Sequence, residues 1–381
     1  MNQDILFNKG NTLLEVQKFS RALDNPSQCY KFYWLEAILE KLNENPEERV
    51  MRFEDIIDRM IANAWYTVTT YHLHMGPGRE GNEYSDNVER AIIELNKVCS
   101  TLNERSSKAD IIEELHKHDD AVRFTKNELT KNVPYRLLSP FLDVPTKDWY
   151  RQQRMIEHIR QTDQEKQLPY TIIPASRPLD YRIVLSEEWA AWMLREYAVL
   201  LDWINYNKVL FLQGRNPGVP GIMYKLEAPG KRKLDDVKKL WKEVLRRNEV
   251  IDIYTGHPVN DEKYDIDHFV PWSYTASDEL WNLIPADGGL NSSKSNRLPD
   301  WDKYAPLYLE NHYRLYGWIY GSEEIYRLFR GCSRHNLNSR WAQEQLYIPG
   351  HSEHEFKGIL EKNMKQVYDA AKNQGFGVWS R

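Results

Sequence analysis

The residues suited to phosphodiester chemistry are concentrated between Ile251 and Pro299. Asp267 and Asn291 offer the carboxylate and amide oxygens that Mg²⁺ and Mn²⁺ prefer as ligands. His268 follows Asp267 directly, and a histidine titrates near neutral pH, so it can act as the general base that activates water. A divalent cation beside it would stabilise the charge that develops on the phosphate and on the leaving oxygen. These residue types together predict metal-dependent phosphodiester hydrolysis.

The segment that must position these groups predicts two strands followed by a short helix. Neighbouring residues on a strand point to opposite faces, so Asp267 and His268 serve one site only where a bulge or a strand end re-aims one of them. The predicted order is a strand at Tyr264–Phe269, a strand at Trp281–Pro285, a turn at Asp287-Gly288-Gly289, and a helix that begins at Asn291-Ser292-Ser293 and contains Lys294.

This pattern resembles an HNH endonuclease domain, the ββα-metal nuclease family. The family pattern is a catalytic His, a middle Asn and a final His or Asn, which His268, Asn282 and Asn291 match at spacings of 14 and 9 residues. The Asp-His start, the Asn spacing and the following Lys are similar to the HNH domain of RNA-guided CRISPR effectors. The ending NSSKSNRLP resembles many stand-alone HNH proteins.

The resemblance implies a role for each polar residue of the motif. His268 would be the general base, and Asp267 and Asn291 would bind a Mg²⁺ or Mn²⁺ ion. Asn282 would hold the loop that carries His268 through backbone hydrogen bonds. Two later cations, Lys294 and Arg297, would bind nucleic acid. For Lys294, a solvated side chain is the open alternative.

The cysteines depart from a common form of this family. Many HNH domains carry paired cysteines that build a zinc ribbon, but here Tyr254-Thr255-Gly256 stands where the upstream pair is expected. The three cysteines, Cys29, Cys99 and Cys332, are widely spaced and contain no Cys-x-x-Cys. We therefore predict no structural zinc and expect neighbouring helices to support the small core.

A basic segment precedes the motif. Lys225–Val250 holds nine bases and five acids, so its net charge is +4, whereas the whole chain is −5 and the remainder is therefore −9. Ile251–Asp300 is itself −6, from nine acids and three bases, so phosphate attraction must come from elsewhere. A helix is predicted at Leu234–Arg247. Its lysines either bind nucleic acid or are a solvated helix face: Lys238, Lys239 and Lys242.

The first half of the chain predicts helices. Eight apolar residues between Phe53 and Val68 follow alternating spacings of 3 and 1, the pattern of one buried helical stripe. A later helix is predicted at Ile111–Leu129. Short strands are predicted at Tyr170–Pro174 and Tyr181–Leu185.

We thus expect a mainly α protein with a small α+β part, in which helices flank a ββα-metal core. The length of 381 residues suits two or three domains. The predicted division is a helical N-terminal domain at 1–167, a connecting region at 168–225, the nuclease core with its preceding basic helix at 226–300, and a C-terminal helical extension at 301–381.

Composition excludes several classes of protein. The mean hydropathy is −0.70 and no apolar run reaches the 18 or more residues that a membrane helix needs. The N-terminus lacks the pattern of a signal peptide, and the cysteines form no disulfide framework, so we expect a cytoplasmic protein.

Two functions stay open at this point. The first is a metal-dependent DNA endonuclease, for which the resemblance and the domain layout favour bacterial restriction or anti-phage defence. The second is a DNA-binding or scaffold protein whose HNH fold is catalytically silent. The N-terminal helices would recognise DNA, bind a partner protein or mediate self-association.

Overall fold

A computed structural model describes residues 14–77, 86–230, 232, 234–334 and 338–381. Helices account for 60% of the residues and strands for 7%, which confirms the prediction of a mainly α protein with a small α+β part. The chain forms two compact units. The first takes in the described residues up to Pro217 together with Ile222–Ala228, and the second takes in Gly218–Gly221 and the described residues from Pro229 onward. The predicted four-part division stays a prediction.

The first unit is a helical body that carries one small sheet. The sheet is antiparallel, with strand order β1-β3-β2. Its elements are α1 (Val16–Phe19), α2 (Tyr30–Glu44), β1 (Val50–Arg52), α3 (Phe53–Thr69), α4 (Asn87–Val98), α5 (Lys108–Lys117), α6 (Asp119–Leu129), α7 (Val133–Arg136), α8 (Gln152–Glu165), β2 (Tyr170–Ile173), β3 (Arg182–Leu185), α9 (Glu187–Arg195) and α10 (Tyr197–Arg215).

The apolar stripe of α3 lies in the core of this unit. All eight predicted stripe residues are buried, and α3 packs against α2, α4 and α5. The helix predicted at Ile111–Leu129 is instead two helices, because His118 leaves the helical conformation between α5 and α6. Asp119 and Asp120 favour a new helix start there, since carboxylates stabilise the positive end of the helix dipole.

The second unit contains the remaining helices and two short two-stranded sheets. Strands β4 and β5 pair antiparallel, and β6 and β7 pair parallel. The elements are α11 (Asp235–Arg247), β4 (Asp265–His268), α12 (Trp272–Thr275), β5 (Leu283–Ala286), α13 (Gly288–Lys294), β6 (Leu298–Pro299), α14 (Trp301–Gly321), α15 (Glu323–Arg334), α16 (Glu353–Asn373) and β7 (Val378–Trp379).

The order β4, β5, α13 is the expected ββα arrangement, with two differences in its boundaries. Trp281 and Asn282 lie in a 3-10 turn before β5 and not in the strand. The helix begins at Gly288 and not at Asn291, because the Asp287 side chain accepts from Leu290 N at 2.9 Å and caps its first turn.

Helix α14 supports this small core from one side. The Tyr308 ring lies 4.5 Å, centroid to centroid, from Phe269, which directly follows β4. The Tyr308 hydroxyl donates to Trp281 O at 2.8 Å, and Asn311 Nδ2 donates to Ile251 O at 2.7 Å. Side chains of one helix therefore fix the backbone on both flanks of the β4–β5 pair.

Candidate active site

Asp267 lies near the end of β4 with a relative exposure of 3%. The Lys294 ammonium lies 3.0 Å from Asp267 Oδ1, and the Tyr254 hydroxyl donates to Asp267 Oδ2 at 2.5 Å. Burial, and after it the charge of Asp267, raises the pKa of Tyr254, so the phenol stays a neutral donor. Each carboxylate oxygen has more than one lone pair, so these contacts orient Asp267 without exhausting its capacity to accept.

Lys294 joins helix α13 to strand β4. Its ammonium also donates to His268 O at 3.0 Å, and the residue is buried. Lys294 is therefore not a solvated lysine, and its contact with a phosphate stays a prediction. Asn291 precedes Lys294 by three residues, which places both on one face of α13. The half-buried Asn291 side chain forms no hydrogen bond with any of the described residues.

Arg297 lies just beyond the end of α13. Its guanidinium donates to the carbonyl of Ser293 and, at 3.3 Å, to that of Lys294. A cation is favourable here because the last carbonyls of a helix carry partial negative charge. The side chain is exposed, and a phosphate contact by Arg297 stays a prediction.

His268 ends β4 and is paired with a carboxylate from the following loop. The distance from His268 Nε2 to Asp278 Oδ1 is 2.8 Å. An ionised carboxylate only accepts, so Nε2 carries the proton and Nδ1 keeps its lone pair. Burial lowers the pKa of His268 and outweighs the opposing effect of Asp278, while Arg232 lowers it further. The imidazole is therefore neutral at neutral pH and has a nitrogen that can accept a proton.

Asn282 ties the loop after His268 to the second strand. Its Nδ2 donates to Val270 O and its Oδ1 accepts from Val270 N, both at 2.8 Å. The Asn282 carbonyl also accepts from Phe269 N at 2.9 Å. The residue is fully buried, and these contacts fix the two residues that follow His268. This is the backbone contact that the resemblance implied for Asn282.

Residues 252–300 match the model of the HNH endonuclease family. This segment, about an eighth of the chain, is similar to HNH endonucleases. The match confirms the resemblance and covers β4, β5 and α13. An HNH endonuclease domain implies a nuclease-type function and a nucleic-acid substrate. No curated protein and no solved structure gave a match to the chain.

In the HNH domain, Asp252 occupies the region where a zinc ribbon would begin. It is buried, and its carboxylate accepts from Tyr254 N and from Asp287 N, each at 2.7 Å. These bonds connect the loop before β4 to the start of α13. Sequence reasoning missed Asp252, Tyr254 and Asp278, because an isolated acid or aromatic residue carries no spacing signal.

One arginine of the basic segment lies near the HNH site. The exposed Arg232 places its guanidinium 4.9 Å from the centroid of the Trp272 ring, and its charge acts on His268. Stacking on an aromatic face restricts the orientation of a guanidinium. Lys231 and Lys233, which flank it in sequence, lie outside the described residues.

The predicted basic helix is α11, and its lysines face outward. Its buried side is the stripe Val237, Leu240, Trp241 and Val244, at spacings of 3, 1 and 3. The exposed lysines differ in their contacts. Lys239 pairs with Asp236 at 2.9 Å, whereas within the described residues no ion pair involves the other two, Lys238 and Lys242.

Metal-ligating side chains also meet in the first unit. Cys99, Glu114 and His118 offer ligand atoms within 4.8 Å of one another. The Glu114 carboxylate already accepts from Cys99 Sγ at 3.3 Å and from Lys117 Nζ at 2.9 Å. The prediction of no structural zinc stays a prediction. Among the described helices, none combines the length and apolar character that crossing a bilayer requires.

Proposed function

We propose that this protein is a divalent-metal-dependent endonuclease that hydrolyses DNA phosphodiester bonds at the HNH domain. The observation that supports the proposal best is the pair of contacts that Lys294 makes with Asp267 and His268. Its ammonium contacts both Asp267 and the backbone of His268, so the α13 face that carries Asn291 is turned toward the end of β4. In this proposal Asp267, His268 and Asn291 serve one metal site at the end of β4.

The residues present fit a hard divalent cation. Asp267 supplies a buried carboxylate with remaining lone pairs, and Asn291 supplies an amide oxygen that the described residues leave without a partner. When bound there, Mg²⁺ or Mn²⁺ would neutralise charge that develops on the phosphate and on the leaving oxygen.

The protein groups supply the proton chemistry. His268 is neutral and is oriented through Nε2 by Asp278, so its Nδ1 would take a proton from the attacking water. Asn282 fixes the backbone of the residues after His268 and would thereby restrict the position of the imidazole. Arg232, stacked on Trp272, would contact a phosphate of the substrate.

The test is cleavage of supercoiled plasmid, single-stranded DNA and RNA by purified protein with Mg²⁺, Mn²⁺ or EDTA. We expect DNA cleavage with either metal and none in EDTA. His268→Ala should lower the rate by roughly 10²–10⁴-fold, the usual contribution of a general base. His257→Ala, at an exposed histidine of the same domain, is the matched control and should cleave at the parent rate. Equal activity of the parent in EDTA would refute the proposal.

The second candidate is a catalytically silent HNH fold that binds DNA or acts as a scaffold. A degenerate domain would have lost one of Asp267, His268 or Asn291, and all three are present. We favour the enzyme for that reason, and we place it in the bacterial cytoplasm in restriction or anti-phage defence. DNA binding by the parent without cleavage of any substrate in either metal would instead support the silent fold.

A further inference from the structure

A large groove lies in the first unit, among the α2 N-terminus, α4, α6 and α7. Its volume is about 1150 Å³, which is at or above the upper end of the usual range for small-molecule sites. The lining is mostly polar and charged. The groove is built within one compact unit, so its shape is set by packing among these helices, including the extensive contact of α4 with α6.

The groove presents cations that have no carboxylate partner. Within the described residues no ion pair involves Lys31, Lys97 or Arg136, although all three line the groove. By contrast, the acids Glu94 and Glu128 are engaged, with Arg90 at 2.8 Å and with Lys131 respectively. Asp24 is the remaining carboxylate of the lining, so the uncommitted charge is positive.

Two of these cations lie near each other. Burial lowers the pKa of Lys31, and the charge of Arg136 lowers it further against the opposing effect of Asp24. The Arg136 guanidinium stacks 4.5 Å from the centroid of the Trp149 ring, which holds it in one orientation. Lys31 and Arg136 line the same groove, and a phosphate group could accept hydrogen bonds from both a lysine and an arginine.

The groove also offers an exposed aromatic ring and an unpaired acceptor. Phe124 lines it with a relative exposure of 63%, and Arg90 covers the ring with its guanidinium 5.4 Å from the centroid. The side-chain oxygen of Gln28 is buried and has no hydrogen-bond partner among the described residues. An aromatic face stacks a nucleobase, and an amide oxygen accepts from an exocyclic amino group of a base.

We propose that this groove binds a nucleotide, with its phosphate on Lys31 and Arg136 and its base against Phe124. The nucleotide is either free or part of a single strand, since both present the same base and phosphate. This site is distinct from the HNH domain and does not depend on the proposed nuclease activity.

The experiment is titration calorimetry on the full chain carrying His268→Ala, in EDTA, so that the HNH domain neither cleaves nor binds through metal. The probes are ATP, inorganic pyrophosphate and a 5′-phosphorylated deoxyadenosine decamer. The groove variants are Lys31→Gln, Arg136→Gln and Phe124→Ala. Matched controls in the same unit are Lys166→Gln, an exposed lysine, and Leu210→Ala, an exposed apolar residue away from the groove.

We expect ATP or the decamer to bind, and the probe that binds more tightly identifies the source. Lys31→Gln and Arg136→Gln should each raise the Kd at least tenfold, while the controls stay within twofold. Phe124→Ala should raise the Kd for the base-containing probe and leave that for pyrophosphate unchanged. The proposal is overturned if the parent binds neither nucleotide probe, or if the groove variants bind as the controls do. Melting curves by circular dichroism establish that each variant is folded.

Discussion

Single residues at the HNH site are held by buried polar contacts. Asp267 and Lys294 form an ion pair in which both side chains are nearly inaccessible. Removing one partner of such a pair leaves a buried unpaired charge and costs about 3–5 kcal/mol. Lys294 therefore stabilises the ββα core. A loss of activity after its substitution would reflect destabilisation of the fold as well as any effect on catalysis.

Substitution of Asp278 tests how the orientation of His268 affects catalysis without destabilising the fold. Asp278→Asn keeps the size of the side chain but removes the acceptor-only group that holds Nε2–H. We expect DNA cleavage to fall about 10–100-fold, the usual effect of losing a partner that orients a functional histidine. The melting temperature should stay close to that of the parent, because the side chain is partly exposed. Asp261→Asn, at an exposed acid of the same domain, is the control, and equal rates for the two variants would contradict the assignment.

Asn282→Ala should damage catalysis through geometry and not through metal binding. The change leaves Val270 N and O without partners inside the core, at about 1–3 kcal/mol for each group. We expect lower cleavage and a lower melting temperature, with Mg²⁺ affinity within about threefold of the parent. Calorimetric metal titration and cleavage assays below the melting point test this. A large loss of metal affinity with an unchanged melting temperature would count against it.

At the scale of elements, α11 is the candidate surface for nucleic acid. Replacing Lys238, Lys239 and Lys242 with Ala should weaken DNA binding. The slope of log affinity against log salt concentration should become smaller in magnitude by about one for each phosphate that the helix no longer binds. Lys239 should contribute least, because it already pairs with Asp236. Folding should be unaffected, since all three side chains point away from the buried stripe.

The matched control for α11 is on α16. Lys362, Lys365 and Lys372 reproduce the charge change in the same unit, and one of them, Lys365, is likewise paired, with Asp369. Fluorescence anisotropy at several salt concentrations compares the two triple variants. If both match the parent in affinity and slope, the α11 lysines only solubilise their helix.

Helix α14 carries a buried histidine that makes the stability of the second unit depend on pH. Burial lowers the pKa of His312 from 6.5 to about 3. Between these values the unfolded chain binds a proton that the folded chain does not, so stability is full above pH 6.5 and falls as pH drops toward 3. The slope is about 1.4 kcal/mol per pH unit, which gives about 2 kcal/mol at pH 5.

Urea unfolding at pH 7 and pH 5 measures this dependence. His312→Phe keeps an aromatic ring beside Trp241 and Tyr308. It should remove most of the decrease in the free energy of unfolding between pH 7 and pH 5. His354→Gln, at an exposed histidine, should leave the loss unchanged. If the parent and the His312→Phe variant show the same pH dependence, folding does not lower the pKa of His312 and the prediction is wrong.

At the scale of the whole molecule, we expect purified, chelator-washed protein to contain no stoichiometric zinc. Hydrogen bonds of Asp252 and packing of α14 take the place of a ribbon in the HNH domain. Elemental analysis tests the prediction. If zinc is found, Cys99→Ser decides whether it lies at the cluster with Glu114 and His118, because that change should release it.

The HNH motif and the apolar stripe of α3 could be predicted from the order of the residues alone. His268, Asn282 and Asn291 were identified by resemblance to the HNH pattern, which can be recognised because all three lie within one short stretch of the chain. The stripe of α3 was predicted for the same reason, since a 3.6-residue period records which face of one helix is buried. Such features depend on residues close together in the chain.

Contacts between residues far apart in the chain could not be predicted, because they depend on how the elements pack. The contact of Tyr254 with Asp267 spans 13 residues and that of Lys294 with the His268 carbonyl spans 26, and neither pair follows a local period. By contrast, the start of α13 at Gly288 is set by a local contact, the Asp287 cap, which the cap-like Asn291-Ser292-Ser293 had obscured. The nucleotide groove joins α2, α4, α6 and α7, so its cations are brought together by helix packing and by nothing in the order of the residues.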